Sequence, residues 1–346
     1  MRIGLIARAE NTGLGIQTWE FHRHIQPAKT LVVRLARGGR HFFPDRFPGA
    51  TISAGLPSIR ELEEFLDGLD LVFTCETPYT YDLFTLAERR GIATVLQYNF
   101  EFLDYLARPD LPRPSVLAAP SAWRYDDVPD RLARRMWLPV PIALDRWPAP
   151  ERRTGPARRF LHIVGRPAIH DRNGTADLLD ALAFVRTPIT VTIRCQDHTY
   201  VPRLMRGRRL PAHVDVRLDH YDIPDYWHAY DGHDVLVLPR RFGGLCLPMQ
   251  EALGAGMPVL MPDISPNRDL LPADWLVPAT KTDQFKARTH IDVHTTDARE
   301  LAARIDLLAT NIGAIEYARE RAHRLAQRMS WEQRLSLYRH LFESLR

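Results

Sequence analysis

Two successive series of short apolar strands alternating with helical patterns, divided by one proline-rich stretch, constrain this chain more than any other feature of it. In the first series Ile3 to Ala7 reads as a strand, Leu14 to Ile25 as a helix and Leu31 to Leu35 as a strand. Helix-like Ile59 to Leu66 leads into Leu69 to Thr74, helix-like Tyr79 to Arg90 into Ala93 to Gln97, and Phe100 to Ala107 towards Val116 to Ala119. Such alternation predicts a mainly parallel sheet covered on both faces. Leu138 to Pro156 carries prolines among charges without a sustained period, the pattern of a linker. A second series follows, with strands at Phe160 to Val164, Ile189 to Arg194, Val214 to Leu218, Asp234 to Leu238 and Pro258 to Met261. Helices are expected at Thr175 to Phe184, Pro224 to Tyr230 and Leu247 to Ala255, and the chain closes in helices from Ala298 onward. The expected organisation is an α/β chain of two doubly wound domains, residues 1–140 and 159–328, joined by a linker at 141–158 and closed by a helical segment at 329–346. Ligands of such sheets bind beyond the carboxyl ends of the strands, where two of these domains can face one another.

At 346 residues, 45% hydrophobic, the chain can bury two cores of ordinary size. The first ten residues already read as a buried strand and its loop, so a cleaved signal is not expected, and no run of 18 apolar residues offers a spanning helix. Cys75, Cys195 and Cys246 are scattered through apolar runs, which suits buried thiols in a reducing compartment and a cytoplasmic location. Net charge is only +4, yet Arg131 to Arg217 holds seventeen arginines against seven acidic residues. That excess suits either a solvated surface or an anionic partner larger than one nucleotide, nucleic acid or an anionic lipid surface among them.

Two loops carry the chemistry. After the first strand comes AENTGLGIQTWE, in which Gly13 and Gly15 remove side chains where a strand turns into a helix, so that amides can approach a phosphate. The full dinucleotide fingerprint is absent from it. In the second series LPRRFGGLCLPMQEALGAGMPVLMPD places Gly243 and Gly244 in a permissive turn before a helix. The helix amides after Gly244 offer a diphosphate site, and Glu251, about a turn inside, can accept from ribose hydroxyls. His170, Asp171 and His198 show no recognisable metal spacing.

These motifs resemble the GT-B glycosyltransferases, most closely the retaining glycosyltransferase family 4 group. The resemblance rests on Gly13-Leu14-Gly15, on Gly165-Arg166 after the first strand of the second series, and on Glu251 followed by Ala255-Gly256-Met257-Pro258-Val259. Tyr226 to Arg240 resembles the segment preceding the glutamate signature, and SWEQRLSLYRHLF the closing helix that crosses back onto the first domain. It implies two Rossmann-like domains facing across a cleft and transfer of a sugar from a UDP- or GDP-sugar to an acceptor hydroxyl with retention. No further cofactor or metal is called for. By the same resemblance Arg166 neutralises the leaving diphosphate, Arg172 supplies the second cation and Glu251 holds the ribose.

The chain departs from that pattern twice. The family's additional acidic residue, eight positions before the glutamate, is here Gly243, preceded by Arg240 and Arg241, so backbone amides of Gly243, Gly244, Leu245 and Cys246 are expected to meet the sugar. The family's histidine after a central strand is missing from TVLQYNFEFLDY, leaving Glu101, or Glu76 in FTCETPY, to orient or deprotonate an acceptor hydroxyl. The acceptor stays open among a hydroxylated DNA base, protein, lipid-linked and small molecules; the DNA reading rests on Arg203, Arg206, Arg208 and Arg209 with Trp123 and Tyr125. A nucleotide-sugar epimerase of the same fold and a non-catalytic nucleotide-sugar-binding module are the alternatives.

Overall fold

The computed structural model describes residues 1–35, 41–147, 155–221 and 223–346, so residues 148–154 of the expected linker lie outside it. The chain divides into two compact units, the first comprising Met1–Pro141, Ala287–Thr289 and Trp331–Arg346, the second Ile142–Lys286 and His290–Ser330.

In the first unit β1 (Ile3–Ala7), α1 (Gly13–Ile25), β2 (Lys29–Val33) and β3 (Thr51–Ser53) are followed by α2 (Ile59–Leu66), β4 (Leu71–Cys75), α3 (Asp82–Arg89), β5 (Ala93–Gln97), β6 (Val116–Ala119) and β7 (Arg134–Trp137). The seven strands form one parallel sheet in the order β3-β2-β1-β4-β5-β6-β7. Strands β1, β2, β4 and β5 are nearly continuous apolar runs because both faces of the sheet are covered. Phe100 to Ala107, expected as a helix, forms two single 3-10 turns instead.

The second unit runs β8 (Arg159–Gly165), α4 (Thr175–Leu182), β9 (Ile189–Cys195), α5 (Tyr200–Met205), β10 (Val214–Asp219), β11 (Val235–Val237), α6 (Leu247–Gly254), β12 (Val259–Pro262), α7 (Asn267–Leu270) and β13 (Leu276–Val277). Its sheet is again parallel, in the order β10-β9-β8-β11-β12-β13. An antiparallel hairpin, β14 (Ala279–Lys286) and β15 (His290–Thr296), then interrupts the expected run into the helices α8 (Ala298–Thr310) and α9 (Ile312–Arg328). Both parallel sheets reverse their strand order once, between β1 and β4 and between β8 and β11. Each reversal opens a crevice at the strand carboxyl ends.

The last helix, α10 (Trp331–Glu343), belongs to the first unit. Its Trp331, Tyr338 and Phe342 close the core from one side, with ring centroids 5.2 Å from Trp331 to Phe21, 5.4 Å from Tyr338 to Phe21 and 5.9 Å from Phe342 to Phe73. Inside that contact, Gln97 donates from Nε2 to the Leu138 carbonyl at 2.7 Å and to the Tyr338 hydroxyl at 3.3 Å, while Gln17 donates to Gln97 Oε1 at 2.7 Å. The Tyr338 hydroxyl in turn donates to the Pro139 carbonyl at 2.9 Å. The Gln17 and Gln97 amides are buried, so their polar atoms need partners. Tyr338→Phe is therefore expected to destabilise the first unit by about 1–2 kcal/mol, read as a shift in the urea midpoint. An unchanged midpoint would remove the hydroxyl from the closure.

Candidate functional site

At the β8/β11 reversal the two strand-end loops are tied together beneath the surface by a buried histidine. The Val237 carbonyl can only accept, so His162 Nδ1 donates to it at 2.8 Å and Nε2 accepts from the Thr175 hydroxyl at 3.1 Å. Burial lowers the His162 pKa, in keeping with a neutral ring. Above it the loop from Gly165 to Gly174 is pinned by Asn173, which donates to the carbonyls of Ile163 and Val164, and by Asp171, which accepts from the Thr175 and Ala176 amides and the Tyr200 hydroxyl. His170 and Asp171 hold φ values of 55° and 47°, a left-handed conformation that costs energy for side-chain-bearing residues and gathers at functional sites.

Gly174, at φ +69°, meets the other loop: a Cβ there would stand 1.9 Å from the Pro239 carbonyl oxygen. The Arg241 amide then donates to the Arg172 carbonyl at 2.9 Å. These contacts bring both Arg172 and Arg240 to Gly243. A Cβ on Gly243 would lie 2.5 Å from Nη2 of Arg240 and 2.6 Å from Nη2 of Arg172. Arg240 is 6% exposed and donates to the carbonyls of Phe242 at 3.0 Å and Leu245 at 2.7 Å. Among the described residues it makes no ion pair. A buried guanidinium facing only neutral carbonyls leaves its charge uncompensated, which favours an anion at this point.

Beside the two guanidinia, α6 begins at Leu247 after Cys246, which makes no side-chain cap; Pro248 has no N–H, so the Leu247 and Met249 amides are the ones left to an external acceptor. Glu251, one turn in, accepts from the hydroxyl of buried Tyr230. Burial, with Glu251 beside it, pushes the Tyr230 hydroxyl well above the usual range, so the phenol stays a donor and fixes the carboxylate. Arg166 is exposed on the Gly165 turn, at φ +60°, with no hydrogen bond or ion pair among the described residues. The second unit thus brings Gly165, Arg166, Arg172, Gly243, Gly244, Leu245 and Glu251 onto the two loops of one strand-order reversal and the helix that follows them.

The first unit has its own site at the β1/β4 reversal. Thr12 caps α1 by accepting from the Gly15 amide at 3.2 Å, and a Cβ on Gly15 would lie 1.9 Å from the Glu10 carbonyl oxygen, so the helix starts hard against the loop. Arg8 and Glu10 form a buried bidentate pair at 2.6 and 2.9 Å. Burial opposes the Arg8 charge, but Glu10 and Tyr79 outweigh it and raise its pKa. Glu76 and Tyr79 adopt φ values of 64° and 65° in the turn after β4, and Asn99 donates to Glu76 Oε1 at 3.3 Å. Glu101 is buried in the 3-10 turn that follows β5. Gln97, at the end of β5, is a structural hub.

Sequence reasoning missed Arg8, Glu10, Tyr79 and Tyr230 and met Arg240 and Arg241 only as departures from a pattern. Polar residues at a strand's carboxyl end, as in IARAE and VLPRR, were the available signal. The arginine excess is partly used internally: Arg194, Arg208 and Arg217 pair with Asp219, Asp180 and Asp215, and Arg203 lies 5.7 Å over the Tyr200 ring. Trp123 packs edge-on against Phe100, and Arg135 covers Tyr125. Among the described residues no group of three or more His, Cys, Asp or Glu is placed to hold a metal, and no helix is long and apolar enough to cross a membrane.

No protein-family model matches the chain, and no curated protein sequence does. Solved structures do. The pneumococcal O-GlcNAc transferase solved with UDP and GlcNAc superposes with a TM-score of 0.59 at 13% identity, over 89% of this chain and 62% of that one, so this chain spans less than two thirds of it. The Anabaena protein HepE, solved with UDP, matches with a TM-score of 0.65 at 14% identity over 99% of this chain and 100% of its own. The sucrose-phosphate synthase of Thermosynechococcus elongatus gives 0.63 at 16% identity, over 99% and 100%. The fold is GT-B, the architecture these structures share with this chain.

Two outcomes are expected from this geometry. Gly243→Ala adds a methyl between two guanidinia at a backbone φ of +114°, so anion affinity, read by titration with inorganic pyrophosphate, should fall by about tenfold or more. Asp177, which accepts from the Thr296 amide at 2.9 Å, is pushed up to about 6 by burial, above the 3.8 of an ordinary aspartate. Its proton is held more tightly in the folded chain, so it contributes stability below about pH 4 that is lost as pH rises to about 6, by up to about 3 kcal/mol. Urea unfolding across that window should show the loss in the wild type and not in Asp177→Asn.

Proposed function

We propose that the chain transfers a sugar from a UDP- or GDP-sugar to an acceptor hydroxyl. The observation that carries the reading is the convergence of Arg172 and Arg240 on Gly243 beside the uncapped start of α6, with Glu251 one turn inside. A nucleoside diphosphate leaves with growing negative charge as the glycosidic bond breaks, and fixed guanidinia and amides stabilise that charge more than the ground state. Arg172 and Arg240 hold the diphosphate, Arg166 closes on it from the exposed Gly165 turn, and the Tyr230-oriented Glu251 accepts from the ribose. Two of the similar structures were solved with UDP, which supports a nucleotide at such a site.

The sugar keeps its anomeric configuration, as the resemblance in Gly165-Arg166 and Glu251 implies, through an oxocarbenium-like centre shielded by the departing diphosphate. Glu76, strained and oriented by Asn99, is the residue assigned to the acceptor hydroxyl, with Glu101 a second carboxylate in the turn after the neighbouring strand. The buried Arg8–Glu10 pair stiffens the loop opposite them in the same unit.

The test is turnover of a panel of UDP- and GDP-sugars with cell extract as acceptor source, followed by mass spectrometry. Transfer supports the reading; equilibration of the sugar without acceptor identifies an epimerase, and binding without turnover a non-catalytic module. Arg166→Ala should lower turnover by about tenfold to a thousandfold, the scale of one lost transition-state charge contact. Full activity in the folded variant removes Arg166 from the chemistry.

A further inference from the structure

We propose that the β14–β15 hairpin is a brace that sets the positions of the site arginines, with Arg241 and Phe285 as its positioning residues; this rests on the donor-site reading above. The hairpin joins neither parallel sheet. Two strands alone are marginal in water, so the hairpin must be held by what it packs against. At its base the Asp297 amide donates to the Pro278 carbonyl and the Thr296 amide to Asp177 on α4. Its inner residues Ile291 and Val293 are buried, while most of β14 is exposed.

What the hairpin grips is the anion loop itself. The Phe285 ring stacks on His170 at 4.4 Å between centroids and 20° between planes, and meets Phe242 edge-on at 5.0 Å. Phe242 lies under the Arg172 guanidinium at 5.5 Å and precedes Gly243. Arg241 staples the three segments: its amide bonds Arg172, its carbonyl accepts from the His294 amide at 3.1 Å, and its guanidinium donates to His294 O at 3.0 Å, to Thr295 Oγ1 at 3.1 Å and to His170 O at 3.3 Å. With a sixth bond to Thr282 Oγ1 at 3.5 Å, this arginine is committed to the frame rather than to a ligand. The left-handed turn at His170 and Asp171 is thereby held from the hairpin side. A guanidinium displaced by an ångström from a phosphate loses most of its advantage, so a brace at this place governs affinity without touching the ligand.

The experiment titrates the full chain with UDP, GDP and the corresponding monophosphates and nucleosides. In Phe285→Ala, affinity for the diphosphate should fall by about tenfold while the nucleoside affinity is unchanged, and Phe285→Tyr, which keeps the stack, should restore it to within about twofold. Thr295→Val, which removes one acceptor of Arg241 at constant shape, should show a smaller loss of the same kind. Amide exchange at Arg241 and His294 should quicken in Phe285→Ala before any ligand is added, a readout a distant packing role would not move. Unaltered diphosphate affinity and exchange in folded Phe285→Ala overturns the brace, as does an equal loss for nucleoside and diphosphate. Should Phe285→Ala not fold, Thr295→Val decides by the same two readouts. A wild-type chain that binds neither UDP nor GDP overturns the donor reading and the brace together, whereas tight binding unaffected by the variants overturns the brace alone.

Discussion

The contact on which the second unit's site depends is between Gly174 and the Pro239 carbonyl. With 1.9 Å between a notional Cβ and that oxygen, any side chain would hold the two strand-end loops apart. Because the loops touch, the Arg172 carbonyl reaches the Arg241 amide, and the guanidinia of Arg172 and Arg240 come to one glycine. Two like charges do not gather at a point without compensation. Here the compensation comes from carbonyl dipoles of Phe242 and Leu245 and, on the proposed reading, from a bound diphosphate.

The two strand-order reversals share a geometry and differ in charge. In the first unit the buried arginine, Arg8, is met by Glu10 through two hydrogen bonds, so the crevice is internally neutralised and its strained Glu76 and Tyr79 stand in a balanced field. In the second unit the buried Arg240 has no carboxylate partner among the described residues, and the neighbouring helix start has no side-chain cap. On the proposed reading, one fold used twice gives one site for a neutral hydroxyl compound and one for an anion. This asymmetry is what assigns acceptor and donor in the proposed function.

The chain's end completes its beginning. α10 supplies Trp331, Tyr338 and Phe342 to a core built from α1 and β4, and the Tyr338 hydroxyl adds a further acceptor for the Gln97 amide beside the Leu138 carbonyl. Gln97 also sends its carbonyl to the Glu76 amide at 2.7 Å, so the closing helix and the strained turn after β4 share one side chain and its backbone. Gln97 thus works as the joint behind the turn that carries Glu76.

Much of the architecture was legible because strand and helix periods are local. The runs at Ile3, Leu71, Ala93 and Phe160, the glycine turns at Gly13 to Gly15 and Gly243 to Gly244, and the helix carrying Glu251 follow from spacing within a dozen residues. The hairpin was not legible: β14 is exposed at almost every position and shows no apolar alternation, although Ile291 and Val293 in β15 do alternate. The 3-10 turns after β5 were read as a helix because a short apolar run carries no length information. The sequence by itself determined two parallel sheets and which loops are free of side chains. Only the tertiary structure decided which charges meet, that Arg172 and Arg240 share Gly243, that Tyr230 fixes Glu251 and that Arg241 belongs to the frame. Those pairings are set by loop paths between residues far apart in the chain, and loop paths follow from close contacts that leave no periodic mark.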